Sequence, residues 1–151
     1  MIDSVWMNCC LCTVGSQVVH TLPEGETVWG VTSLADEVYV LRDKARDEVE
    51  VYDLINYRLQ RCLTVPNFRG LITDMTSCEH YRCVYIADDY PGTCIHRLDV
   101  QGAVTQWAVN DQPVGLSVNA AHNVLVTCPH VRKIKEFSSH GDLLREPTDT
   151  P

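Results

Sequence analysis

Hydrophobic and polar positions alternate along this chain in short runs bounded by turn residues. Val38, Val40, Val49 and Val51 alternate with Tyr39, Glu50 and Tyr52, the two-residue period of strands with two distinct faces. No stretch keeps a helical period. β-Branched and aromatic residues recur instead between turn signals, which predicts an all-β protein. The runs place strands near 28–33, 37–42, 48–54 and 58–64, then 71–76, 82–88, 93–99 and 103–109. A third set falls near 114–119, 122–128 and 131–138, with a short piece near 141–145.

The three sets repeat one another. Val38-Tyr39-Val40 recurs as Val84-Tyr85-Ile86 and as Val124-Leu125-Val126, at offsets of 46 and 40. A second anchor, Val49, Ile95 or Ile134, follows 11, 11 and 10 residues later. Tyr52, Leu98 and Phe137 come next, followed by Asp53, Asp99 and Ser138, then by Asn56, Gly102 and Gly141. Small or polar starts at Gly30, Thr73 and Gly115 precede each unit. A four-stranded antiparallel unit of about 40–45 residues is the length of one propeller blade. The reading is therefore a partial β-propeller of about three blades, 28–70, 71–113 and 114–146. Residues 1–27 form an N-terminal segment whose Ser16–Pro23 resembles the outer strand of a preceding blade, and 147–151 a frayed tail. A lone sheet exposes both faces, so Trp29, Tyr85, Trp107 and Phe137 are expected to pack between blades.

Charge narrows the partners. Twelve Lys and Arg against twenty Asp and Glu give a net charge of -8, which disfavours nonspecific nucleic-acid binding. Arg132, Lys133 and Lys135 form the one short basic run. No apolar run approaches the ~18 residues of a membrane helix. The eight cysteines come with no basic leader or cleavage site, so the expected location is the reducing cytoplasm, with mostly buried free thiols. Cys9, Cys10 and Cys12 lack C-x2-C spacing for zinc, and Cys78 and Cys83 flank a turn.

Val84-Tyr85-Ile86-Ala87-Asp88, then Ile95-His96-Arg97-Leu98-Asp99 and Gly102, resembles the NHL-repeat pattern l-Y-V-A-D … I-x-v-f-D-x-x-G. Lys133 to Gly141 is similar to its second half. The resemblance covers roughly 28–146 and is strongest in the middle unit. Leu41-Arg42-Asp43 and Thr127-Cys128 depart from the Ala-Asp step. Strictosidine-synthase-like and gluconolactonase-like propellers share much of this blade consensus. The resemblance implies a six-bladed, TolB-like propeller that serves as a non-catalytic platform for proteins or, in some members, RNA. Three blades leave two faces open, which fits a partial chain, self-association of two chains into a closed ring, or an open array.

In such blades the loops from strand two to three, and from strand four to the next blade, share one face. Those loops supply Arg42, Arg46, Phe68, Arg69, Asp88, Asp89, Tyr90 and His130, charges and aromatics suited to an unidentified protein partner. The function expected is a non-enzymatic interaction module with no cofactor. The alternative is a metal-dependent lactonase-like hydrolase, for which Asp74 and Asn119 are the only, weak, metal candidates; two oxygen donors fall short of the six or so that Ca2+ needs. An RNA-binding propeller is the second alternative. No G-x-S-x-G, P-loop or H-E-x-x-H motif occurs, and the six histidines are scattered along the chain.

Overall fold

In the computed structural model the structure describes residues 21–22, 27–42, 48–68, 72–89 and 93–146, with Ile72 described by its backbone alone. The runs of alternating residues form twelve strands. β1 (Val28–Leu34), β2 (Glu37–Arg42), β3 (Glu48–Asp53) and β4 (Leu59–Thr64) make one antiparallel sheet in chain order. β5 (Ile72–Cys78), β6 (Cys83–Asp88), β7 (Cys94–Asp99) and β8 (Val104–Ala108) make the second. β9 (Gly115–Val118), β10 (Val124–Cys128), β11 (Lys133–Phe137) and β12 (Leu143–Arg145) make the third. A 3-10 turn, Pro129–Val131, is the one helical element among the described residues. No helix there is long and apolar enough to cross a membrane.

The repeated turn residues have a shared job. Asp53 Oδ1 accepts the backbone N–H groups of Ile55 and Asn56, and Asp99 Oδ1 those of Gln101 and Ala103. Ser138 Oγ accepts those of His140 and Asp142. Each side chain thus satisfies the donors of the turn from the third to the fourth strand, as Asp and Ser do in tight turns. Gly141 closes the last of these turns at φ +97°, and a Cβ there would sit 2.6 Å from Trp107 Cγ.

The sheets meet face to face in two seams. In the first, Tyr39, Leu41, Val49 and Val51 pack on Met75, Val84, Ile86 and Leu98. In the second, Cys83, Tyr85, Ala87 and Ile95 pack on Val124, Val126, Cys128 and Phe137. The strand alternation that sends Val84 one way and Tyr85 the other lets the middle sheet serve both. Tyr85, Trp107 and Phe137 meet at 6.0 and 6.3 Å across the second seam. Trp29 does not join a seam: it is 42% exposed on β1, because the first sheet has no described sheet on its outer side. Cys78 and Cys83 face each other across their hairpin as free, buried thiols.

The inner strands β1, β5 and β9 stand side by side without a shared ladder. Side chains tie them instead. Thr32 Oγ1 donates to Ser77 Oγ at 3.2 Å, and Ser77 Oγ donates to Ser33 O at 2.6 Å. Thr73 Oγ1 donates to Pro113 O at 2.8 Å. A small start is needed at Gly30 because side chains of the next inner strand come close: a Cβ there would stand 2.9 Å from the Met75 side chain.

Candidate functional site

The loop end of the sheets is where the sequence places the partner-binding residues, and the structure separates them. His130 is exposed in the 3-10 turn, and Asp89 is half-buried just past β6. Arg46, Arg69 and Tyr90 lie outside the described residues. Arg42 ends β2 and is ion-paired with Glu50. Phe68 is a correction: at 3% exposure it belongs to the first seam's core. The link from β4 to β5 must cross that seam, and Phe68 plugs its end, edge-on to His96 with ring centroids 5.3 Å apart. Asp88 is a second correction. It is the last residue of β6 rather than a loop residue, and it is fully buried.

The metal candidates are corrected too. Asp74 Oδ1 accepts the N–H of Met75, and Oδ2 accepts that of Leu116 at 2.8 Å, a bridge between inner strands. Asn119 Oδ1 accepts two turn N–H groups, from Ala121 and Asn123, while its amide donates to Glu136. Asn119 lies three residues beyond Leu116, about 10 Å along the strand, so the two side chains serve opposite ends of β9. The basic run is likewise spent locally. Lys135 Nζ donates to Val109 O at 3.0 Å and pairs with Asp111 at 2.6 Å. Burial works against its charge, but Asp111 outweighs that and holds its pKa above the ordinary lysine value.

One buried group was not legible as a site. Asp88, Cys94 and His96 bring three potential ligand atoms within 4.8 Å of one another. His96 Nε2 stands 3.4 Å from Cys94 Sγ and 3.3 Å from Asp88 Oδ2. Asp88 Oδ1 and His96 Nδ1 are buried without a hydrogen-bond partner among the described residues. Register explains the grouping: Asp88 pairs with Cys94 and Ile86 with His96 across β6 and β7, so all three project with Ile86 into the first seam. A Cys-His-Asp relay needs the carboxylate on one imidazole nitrogen and the thiol on the other. Here both meet Nε2. Burial first, and the Asp88 charge second, push the Cys94 thiol up to about 11, so at neutral pH it is not the thiolate that nucleophilic catalysis requires.

The same three positions recur in each sheet. They are Arg42, Glu48 and Glu50 in the first, and Cys128, Lys133 and Lys135 in the third. Glu50, His96 and Lys135 are all buried. In the first sheet Arg42 meets Glu50 at 2.5 Å, and in the third Lys135 meets Asp111 at 2.6 Å. At the opposite end of the first seam lies a cleft of about 580 Å³ lined by Leu34, Glu37, Arg61, Leu63 and Arg82 among others. Glu37 there accepts both ends of the Arg61 guanidinium. At the matching end of the second seam, His80 and His122 stack at 4.0 Å, with Tyr81 edge-on to His122 and His140. Three histidines scattered in sequence, His80, His122 and His140, are thus gathered by turns of neighbouring sheets.

No protein-family model matches this chain, and no curated protein matches it either. Solved structures do. A streptogramin B lyase structure superposes at TM-score 0.68 with 17% identity, covering 82% of this chain and 41% of that one. The fold is a partial β-propeller. A catalytically inactive virginiamycin B lyase from Staphylococcus aureus with quinupristin gives TM-score 0.68 at 13% identity, over 89% of this chain and 46% of that one. A protein of unknown function from Bacteroides caccae gives 0.58 at 14%, over 87% and 49%. The chain spans less than half the length of each of these structures, and identities this low carry the architecture and nothing finer. The three sheets are its first, second and third blades.

Proposed function

We propose that this chain is a non-enzymatic interaction module, an NHL-like set of propeller blades that offers its loop face to a protein partner in the cytoplasm. The observation that carries the reading is the loop end of the third blade. Val114 is 36% and Val131 39% exposed there, beside exposed His130 and Arg132. Apolar side chains ringed by polar ones suit a protein interface. The Pro129–Val131 turn there ends on Arg132 in the left-handed region at φ 55°. Arg42 and Asp89 extend the same face across the first and second blades, and the sequence adds Arg46, Arg69 and Tyr90. The commitment of Asp74 and Asn119 to backbone and turn contacts gives the lactonase alternative no ligand pair to build on. The pairing of Lys135 with Asp111 leaves the RNA alternative with less free positive charge.

Capture by the purified full chain tests this reading. The double variant Val131→Asp, His130→Ala is expected to lose a protein that both the wild type and Ile55→Asp, a turn change at the opposite end, retain. A partner kept by the loop-face variant, or one lost equally by both variants, overturns the assignment. Self-association belongs to the same proposal, because Val31 on β1 is 61% and Ile134 on β11 57% exposed on blade faces with no described neighbour. Sedimentation of the full chain is expected to show a dimer that Val31→Asp dissociates. A monomer at all concentrations removes ring closure from the reading.

A further inference from the structure

We propose that Asp88, Cys94 and His96 form a binding site for one borderline-soft divalent cation, Zn2+ by preference, at the loop end of the seam between the first and second blades. The separations that join these three groups also fit ligands around an ion. Tetrahedral Zn2+ with bonds of about 2.3 Å to sulfur and about 2.0–2.2 Å to nitrogen and oxygen sets S and N about 3.5 Å apart, and N and O about 3.4 Å apart. The observed separations are 3.4 Å and 3.3 Å. A charge-assisted N–H···O bond would be shorter, about 2.7–2.9 Å. Nε2 also has a single hydrogen or a single lone pair, so it makes at most one full-strength hydrogen bond to the thiol or the carboxylate.

The neighbouring blades supply the second argument. At the equivalent positions the first blade sets Arg42 against Glu50, and the third sets Lys135 against Asp111, at 2.5 and 2.6 Å. Each of those buried clusters contains its own cation. In the second blade all three groups are lone-pair donors, and the carboxylate meets no Lys or Arg among the described residues. Asp88 Oδ1 is buried with no partner there. A metal ion supplies the positive charge that its siblings obtain from a side chain. One sulfur, one nitrogen and one oxygen suit Zn2+ and exclude Ca2+ and Mg2+, which take six or more oxygens. Water would fill the fourth position. Bound there, the ion ties the last residue of β6 to the first of β7 at the partner-facing end.

The test uses the full chain carrying Cys9→Ser, Cys10→Ser and Cys12→Ser, which removes competing thiols. Titration with Zn2+ by calorimetry is expected to show one equivalent bound, and Co2+ to give a thiolate charge-transfer absorption. Zn2+ at about a hundredfold above its Kd is expected to raise Tm by about 5–10 °C, reversed by a chelator. Cys94→Ser and His96→Gln should each weaken binding by more than about a hundredfold, beyond the cost of losing an outer-shell partner. Cys62→Ser, an exposed thiol elsewhere, should change nothing. Binding that survives Cys94→Ser, or a parent with no Co2+ thiolate band, overturns the site. If either variant fails to fold, the parent's Co2+ titration decides by itself.

Discussion

The seam between the first and second blades and the seam between the second and third are assembled from equivalent strands, yet they are filled differently. Valine, leucine and isoleucine dominate the first, and its loop end holds Asp88, Cys94 and His96 beneath Phe68. The second is closed by Tyr85, Trp107 and Phe137, and its loop end holds Lys135 paired with Asp111. The repeat fixes where side chains enter a seam, whereas each blade chooses what enters. A position one residue past the second anchor, occupied by Glu50, His96 and Lys135, is buried in every blade. Each blade surrounds it differently: Arg42 faces Glu50, Asp111 faces Lys135, and Asp88 and Cys94 face His96.

The largest effects should come from the aromatic seam. Phe137→Ala removes a ring packed on Trp107 and should cost about 3–5 kcal/mol, a large part of a marginal total of about 5–15 kcal/mol. Leu98→Ala in the other seam should cost about 2–5 kcal/mol. Urea unfolding followed by both fluorescence and circular dichroism checks the values and the coupling. One shared transition is expected, because the middle blade belongs to both seams. Two transitions would mean that the seams break separately.

A pair of equivalent glycines sharpens the contrast. Gly102 and Gly141 both turn at positive φ, +90° and +97°. A Cβ on Gly102 would meet only Leu63 Cδ2 at 3.3 Å, while one on Gly141 would run into Trp107 at 2.6 Å. Gly102→Ala should cost about 1 kcal/mol for backbone strain, and Gly141→Ala nearer 3 kcal/mol. Equal costs, read from the same unfolding curves, would show that the Trp107 contact is relieved without loss.

The buried pair in the first seam should respond non-additively. With metal chelated, His96→Leu leaves Asp88 with a second unpartnered oxygen and should cost about 1–3 kcal/mol. Adding Asp88→Leu should recover most of that, since replacing both members of a buried polar pair by apolar groups is close to neutral. A double-mutant cycle measures the coupling, and strict additivity would mean the two groups are satisfied independently.

Much of this was legible in the chain, for a physical reason. Strand alternation and turn chemistry are local, so the twelve strands lie close to where the pattern puts them, and the Asp53, Asp99 and Ser138 register marks a turn contact that each blade needs. Burial at the loop end is not local. Phe68 follows Pro66 and Asn67 and reads as an exposed turn aromatic until the seam it plugs is known. Asp88 fits the Ala-Asp step of the repeat, which says nothing of the His96 ring placed beside it by the next strand. The missed signal was the repeat itself: aligning Val49, Ile95 and Ile134 sets Glu50, His96 and Lys135 in one column, three titratable residues buried on the equivalent face of a central strand. The stacking of His80 on His122 escaped notice similarly, because turns of neighbouring blades meet only in space.

The smallest effect separates the turn ends of the two seams, one closed by an ion pair and the other by stacked imidazoles. The Arg61 guanidinium, by its hydrogen bonds to Glu37, holds that carboxyl below its ordinary value of 4.5 against the opposing pull of burial. In the unfolded chain Glu37 loses this partner and takes up a proton more readily. The folded state therefore gains stability that is complete above about pH 4.5 and fades as pH falls through the lowered folded value. Both side chains are partly solvated, 34% and 23% exposed, so the gain should stay under about 1 kcal/mol. Glu37→Gln should remove it at about pH 7, with the loss shrinking as pH falls, giving a shallower acid limb in urea midpoints. A variant whose acid limb is as steep as the wild type's would place the pH sensitivity elsewhere, and would leave the cleft held by the packing of Leu34 and Leu63 rather than by charge.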